Sequence, residues 1–210
     1  RVSRGLGDVY KRQSWHSYDS VPSTGMFAAY ARHRLDAEGF TETETTCDEW
    51  NCNPTLRGTR MHAALCTAMF AELQHAPVDS AMFYDGRCGV SMFSSLFNPL
   101  TEAPFPAYYA FLAFNVLYRL GQEVAVYTEQ MGEAGQADAA LRVLAARGEK
   151  DGAARGAVLI CNPTGTSLPL ELSANGRLTS CSVLTEEGLA EIPLPAELES
   201  GAVLLAEYAL

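Results

Sequence analysis

Residues 43–51 read Thr43-Glu44-Thr45-Thr46-Cys47-Asp48-Glu49-Trp50-Asn51, and the reading of this stretch decides the fold. A β-branched run leads directly into two carboxylates, a Trp and an Asn, and Pro54 stops any continuation. A buried strand looks like this when it ends by delivering polar side chains to a rim. Strands of a parallel sheet are covered on both faces, so acids belong at their ends and not along them. At the C-terminal end of a barrel strand, such acids read as catalytic more often than structural. Glu49 is therefore the candidate catalytic carboxylate. Strand alternation sends Asp48 to the opposite side.

Working outward, the same pattern recurs on both sides. Ser14–Tyr18 is short and aromatic and reads as a strand end. A helix is expected over about 25–38, with Met26, Phe27, Tyr30, Ala31 and Leu35 on one face and Gly39 as its stop. After the central strand, a second helix is expected over about 60–75, with Ala64, Leu65, Ala68, Met69 and Leu73 at core spacing. Pro77 ends it, and residues 78–84 form a third strand that turns polar at Asp85, Gly86 and Arg87. A Gly- and Ser-rich loop then reaches Pro104 and Pro106, and a third helix runs to Leu120 before Gly121. Three β-then-α units in a row predict a parallel α/β architecture.

From residue 123 the period changes. Residues 123–128, 139–146, 157–162, 167–173, 180–185 and 202–208 are short runs of β character. Turn residues separate them, notably Lys150-Asp151-Gly152 and Ala174-Asn175-Gly176. This predicts a small antiparallel β-sandwich over 123–210, in preference to a β-rich extension without its own closed core. At the other end, residues 1–13 (RVSRGLGDVYKRQ) are basic and Gly-rich and resemble a translated adaptor sequence. They are set aside from the fold. The GLGD within them lacks the preceding strand and following helix of a phosphate loop.

Composition narrows the function. The chain has 210 residues, 48% of them hydrophobic and 19% charged, which describes a protein with a real core. Net charge is −10 and no basic cluster exceeds a couple of residues, so nucleic acid and anionic membrane surfaces are not expected partners. No apolar run approaches the roughly 20 residues of a membrane span. Six cysteines lie scattered without metal-ligand spacing. They read as free thiols in a reducing compartment, which favours the cytoplasm. The sequence calls for no metal and no cofactor, and it leaves self-association open.

The polar strand ends form three clusters: His16 with Tyr18, then Asp48, Glu49 and Asn51, then Asp85 with Arg87. In a parallel barrel these ends share one face and can line a single cleft. Each has a plainer reading beside it. A Glu in a Glu-Trp pair is commonly a solvated acid, His16 can be structural, Trp50 can be packing, and Arg87 can close a loop. The strand context and the His16–Tyr18 pair favour the cleft for Glu49, because a nucleophilic carboxylate needs orientation and partial desolvation.

The order Trp15-His16-Ser17-Tyr18, then Thr46-Cys47-Asp48-Glu49-Trp50-Asn51, then Met82-Phe83-Tyr84-Asp85-Gly86-Arg87, then Pro104–Phe111 (PFPAYYAF), followed by a β domain, resembles the C-terminal half of glycoside hydrolase family 39. The resemblance covers about residues 14–210. It implies the last three units of a (β/α)8 barrel over 14–122 and a β-sandwich over 123–210. It implies Glu49 as the nucleophile of a retaining, β-xyloside-cleaving glycosidase acting on carbohydrate. His16, Tyr18, Trp50, Asn51, Tyr84, Asp85 and Arg87 would then border the sugar. The family's acid/base glutamate, in an Asn-Glu pair at the fourth strand, has no counterpart in this sequence. The chain alone is therefore expected to be inactive on substrates with poor leaving groups. Tyr84 stands where a Trp is common in the family, which leaves the sugar open. Two rivals are a non-catalytic carbohydrate-binding protein on a degenerate barrel and a metal-dependent hydrolase using His16, Cys47 and Asp48. The second lacks any His-x-His or His-x-x-x-His spacing.

Overall fold

The structure, a computed structural model, describes residues 11–89, 91, 93–127 and 141–210. Strand β1 (Arg12–Ser17), helix α1 (Val21–Ala37), β2 (Glu44–Trp50), α2 (Arg60–His75), β3 (Ser80–Phe83) and α3 (Pro106–Leu120) follow one another. β2 lies between β1 and β3, and both pairings are parallel. Parallel neighbours require a crossover, and a single helix makes each one. β1 begins at Arg12, inside the stretch set aside on sequence. Arg12 stands opposite Glu44 in the ladder and meets its carboxylate at 3.1 Å. Most of that stretch, and the GLGD within it, lies outside the described residues.

α1 starts four residues before the expected 25. Ser20 caps it by accepting from the Ser23 amide, and Pro22 sits in the first turn, where a missing N–H costs nothing. Gly39 and Gly121 stop α1 and α3 as expected, at φ +84 and +83, conformations that a side chain would strain. The apolar face expected for α1 is turned outward: Met26 is 73% exposed and Tyr30 65%. The helix docks through its small residues Thr24, Gly25 and Ala28. A Cβ on Gly25 would lie 1.8 Å from the Glu72 carboxylate of α2. Close approach selects the small face, and the large residues point away.

The rest of the described chain forms an antiparallel sheet of six strands in the order β4-β5-β6-β11-β8-β9. They are β4 (Gln122–Glu123), β5 (Arg142–Lys150), β6 (Ala153–Cys161), β8 (Arg177–Leu184), β9 (Leu189–Glu191) and β11 (Val203–Ala209). Asp151 and Gly152 turn β5 into β6 at φ +55 and +73, the hairpin geometry that an Asp-Gly pair favours. β7 (Leu168–Pro169) and β10 (Glu197–Leu198) pair as a separate ribbon. Of the strand expected over 123–128, only its start is seen, as β4. Residues 128–140 lie outside the described set.

One face of the large sheet packs on the helices. Leu144, Ala157, Leu159, Val203 and Leu205 share a continuous core with Ala64, Ala68, Met69 and Ala110. The other face carries Ile160, Leu204 and Tyr208 against Leu198 of the ribbon. The expected second sheet is thus, among the described residues, a two-stranded ribbon. α2 lies between the parallel sheet and the antiparallel one, so it is buried nearly all round and not along one stripe. At the seam, a Cβ on Gly148 would lie 2.0 Å from the Leu120 carbonyl oxygen, so β5 can pass the end of α3 only without a side chain. No described helix is long and apolar enough to cross a membrane.

Candidate functional site

β1 and β2 run in regular register from Arg12 opposite Glu44 to Trp15 opposite Cys47, and then the register skips. His16 stands opposite Glu49, which leaves Asp48 as the extra residue of a bulge. A bulge interrupts alternation and re-aims side chains. Both acids consequently reach the same imidazole. His16 Nδ1 lies 3.3 Å from Glu49 Oε2, and His16 Nε2 lies 3.3 Å from Asp48 Oδ1. The expectation that Asp48 faces away from the cleft is therefore wrong. Sequence alternation carried no sign of the bulge.

Tyr18, just past β1, donates its hydroxyl to the same Glu49 oxygen, Oε2, at 2.6 Å. Burial, and then the bond to the Glu49 carboxylate, push the phenol's pKa up, so Tyr18 holds its proton and remains a donor. Among the described residues, Glu49 Oε1 accepts no protein hydrogen bond. One oxygen is held and the other is open.

β3 and the loop after it supply the next wall. Asp85 is buried, and its Oδ2 accepts from Arg87 Nε at 2.7 Å and meets Nη2 at 2.6 Å. Asp85 raises the Arg87 pKa further by this contact. The pair closes its own loop, which is the plain reading of Arg87. Asp85 Oδ1 is buried with no hydrogen-bond partner among the described residues. Tyr84 meets Tyr18 edge-on at 6.4 Å, and Phe93 lies 6.1 Å from Tyr84 with the Arg57 guanidinium 5.9 Å above its ring. Phe93 and Arg57 escaped the sequence reading because they sit in loops with no periodicity. The peptide between Tyr84 and Asp85 is cis.

Two expected sugar contacts lie elsewhere. Trp50 is 3% exposed and packs edge-on to Phe70 and Phe83 and parallel to Phe111. It belongs to the core and offers no ring face to a ligand. Asn51 is 1% exposed, and its amide donates to the Tyr84 carbonyl and to Ser95 Oγ. Its Oδ1 accepts from the Cys52 amide at 2.7 Å and from His62 Nε2 at 2.9 Å. With its hydrogen-bonding capacity filled, Asn51 is a latch between β2, β3 and α2. Burial, and secondly Arg57, lower the His62 pKa to about 4, so this imidazole is neutral, and the bond to the accepting Asn51 Oδ1 assigns its proton to Nε2.

Burial likewise pushes the Cys47 thiol up to about 12, which leaves it a poor nucleophile and a poor metal ligand. No group of three or more metal-ligating side chains occurs among the described residues. A hollow of about 620 Å³ opens between α1, α2 and β5, but none of its lining residues belongs to this cluster. Chemistry, and not the size of a cavity, marks the site at the C-terminal ends of β1, β2 and β3.

No family model and no curated protein matches the sequence. Solved structures do. A glucosidase from Croceicoccus marinus superposes with a TM-score of 0.68 at 16% identity, over 95% of this chain and 53% of its own. A family 39 β-xylosidase from Caulobacter crescentus gives 0.63 at 16% identity, over 100% and 55%. A family 30 endoxylanase from Clostridium papyrosolvens C71 gives 0.58 at 11%, over 95% and 49%. The chain spans about half the length of these structures. At such identities the likeness is one of fold, shared with about half of each of these glycosidase structures.

Proposed function

We propose that this chain carries the nucleophile half of a retaining glycosidase active site, on the last three units of a (β/α)8 barrel with a β-sandwich-like domain behind it. The reading rests on one observation. Tyr18 and His16 address a single oxygen of Glu49 at the rim of parallel strands and leave Oε1 open. In this reading Oε1 attacks the anomeric carbon as the glycosidic C1–O bond breaks, the aglycone leaves with a proton from the general acid, and the covalent glycosyl-enzyme forms while Oε2 stays held. Tyr18 keeps its proton and donates it in a hydrogen bond, so it steadies the ionised carboxylate without itself becoming charged. Tyr84 and Phe93 form an aromatic wall beside Glu49 for the sugar, with the Asp85–Arg87 pair holding the loop behind it. The general acid, a second carboxylate about 5–5.5 Å from Glu49, belongs to an earlier strand of the whole protein. The substrate class is a terminal β-xyloside or a related neutral sugar, in keeping with the resemblance to family 39.

A substrate whose leaving group needs no protonation tests this on the chain alone. Incubation with dinitrophenyl 2-deoxy-2-fluoro-β-xyloside should give one covalent adduct, mapped to Glu49 by peptide mass spectrometry and absent in Glu49→Gln. Xylose binding by calorimetry without any adduct would favour the carbohydrate-binding alternative. An adduct elsewhere would overturn the assignment of Glu49.

A further inference from the structure

We propose that Asp48 is a positioning residue, acting on Glu49 through His16. The contact stands on the geometry alone, whereas its consequence for reactivity rests on the glycosidase reading above. His16 is a half-exposed ring at a rim, and an imidazole held at one edge only can turn over about its χ2 axis. Turning exchanges Nδ1 with a ring carbon, and Nε2 with another. With Glu49 as the sole neighbour, such a turn loses one contact. With Asp48 Oδ1 3.3 Å from Nε2 and Glu49 Oε2 3.3 Å from Nδ1, it loses both at once. Only one ring orientation presents a nitrogen to each carboxylate.

Two observations indicate that this arrangement is built for the site. Asp48 reaches His16 only because the register skips at that residue, and the skip costs regular ladder pairing beside the candidate nucleophile. Asp48 Oδ1 is itself buried and accepts no hydrogen bond among the described residues, and the charge-type contact with His16 Nε2 at 3.3 Å is the polar interaction given for it. The fixed ring and Tyr18 together pin Oε2, which aligns Oε1 for attack. Asp48 touches neither the sugar nor the reacting atoms in this scheme, so it is not catalytic.

The decisive measurement is the long-range nitrogen NMR spectrum of the His16 ring in the full chain. Asp48→Asn should move the Nε2 resonance and leave the backbone amides outside the bulge in place. An unmoved ring spectrum overturns the proposal. Should Asp48→Asn fail to fold, Asp48→Ser is read by the same criterion. A double-mutant cycle on the rate of Glu49 labelling gives the second readout. Asp48→Asn should slow labelling on the order of ten-fold, and by less than about two-fold when His16→Ala is already present. A loss that persists undiminished without His16 overturns the action through the ring. A moved His16 resonance in a chain that takes up no label upholds the Asp48 contact and overturns the glycosidase reading instead.

Discussion

Tyr18 binds the same carboxylate oxygen as His16, so the two side chains are not interchangeable supports. Tyr18→Phe removes the hydroxyl that donates to Oε2 and should lower the Glu49 labelling rate roughly ten- to a hundred-fold, with xylose affinity changed far less. A second residue-scale prediction concerns His62. Its folded pKa is about 4 against an ordinary 6.5, because burial penalises the charged ring. Above pH 6.5 the ring is neutral in the folded and the unfolded chain, and it does not tilt the balance. As pH falls from there toward 4, the unfolded chain takes up a proton that the folded chain refuses, so stability declines through that window. The loss should approach about 3 kcal/mol at its limit. Urea unfolding at several pH values should show the slope in the wild type and a flatter one in His62→Gln. At this scale the meeting of Glu49 with His16 and Tyr18 was legible, since a polar strand end is visible as a pattern. The sequence hid Asp48, because one extra residue in a ladder leaves no compositional mark. It also misplaced Trp50 and Asn51, because adjacency in sequence to Glu49 says nothing about which way a side chain turns.

Elements were more legible than residues. The three helices and three parallel strands follow from apolar periodicity, Pro and Gly punctuation, and caps, all of which are local. What escaped was the face that each helix buries. Packing against α2 chose Thr24, Gly25 and Ala28 of α1 over its larger residues, a decision made between elements and not within one. The aromatic cluster of Trp50, Phe70, Phe83 and Phe111 joins β2, α2, β3 and α3 beneath the site. Trp50→Ala should cost about 3–5 kcal/mol. Denaturant unfolding would measure this, and a cost below about 1 kcal/mol would contradict the core placement.

At the scale of the molecule, β1 and β3 leave outer edges unpaired among the described strands, and α1 presents Met26, Phe27 and Tyr30 to solvent. Open edges and apolar faces favour association. The double variant Met26→Lys with Tyr30→Glu should reduce light scattering of the purified chain without lowering its melting temperature. Residues 14–122 alone lack the sheet that covers α2 and α3, and they should behave as a molten, dye-binding species. A sharp cooperative melt of that piece would contradict this. The placement of α2 carries a further implication, for how such a chain can be inherited. This helix meets the β2 region through Phe70 on Trp50 and His62 on Asn51, and it packs on its other side against β5, β6 and β11 of the later sheet. A crossover that replaced everything after the third unit would hand α2 a stranger's surface on one side. The two regions should therefore travel through evolution as one cassette, each substitution on the sheet answered by one on the helix, and chimaeras joined at that boundary should need matched partners before they fold.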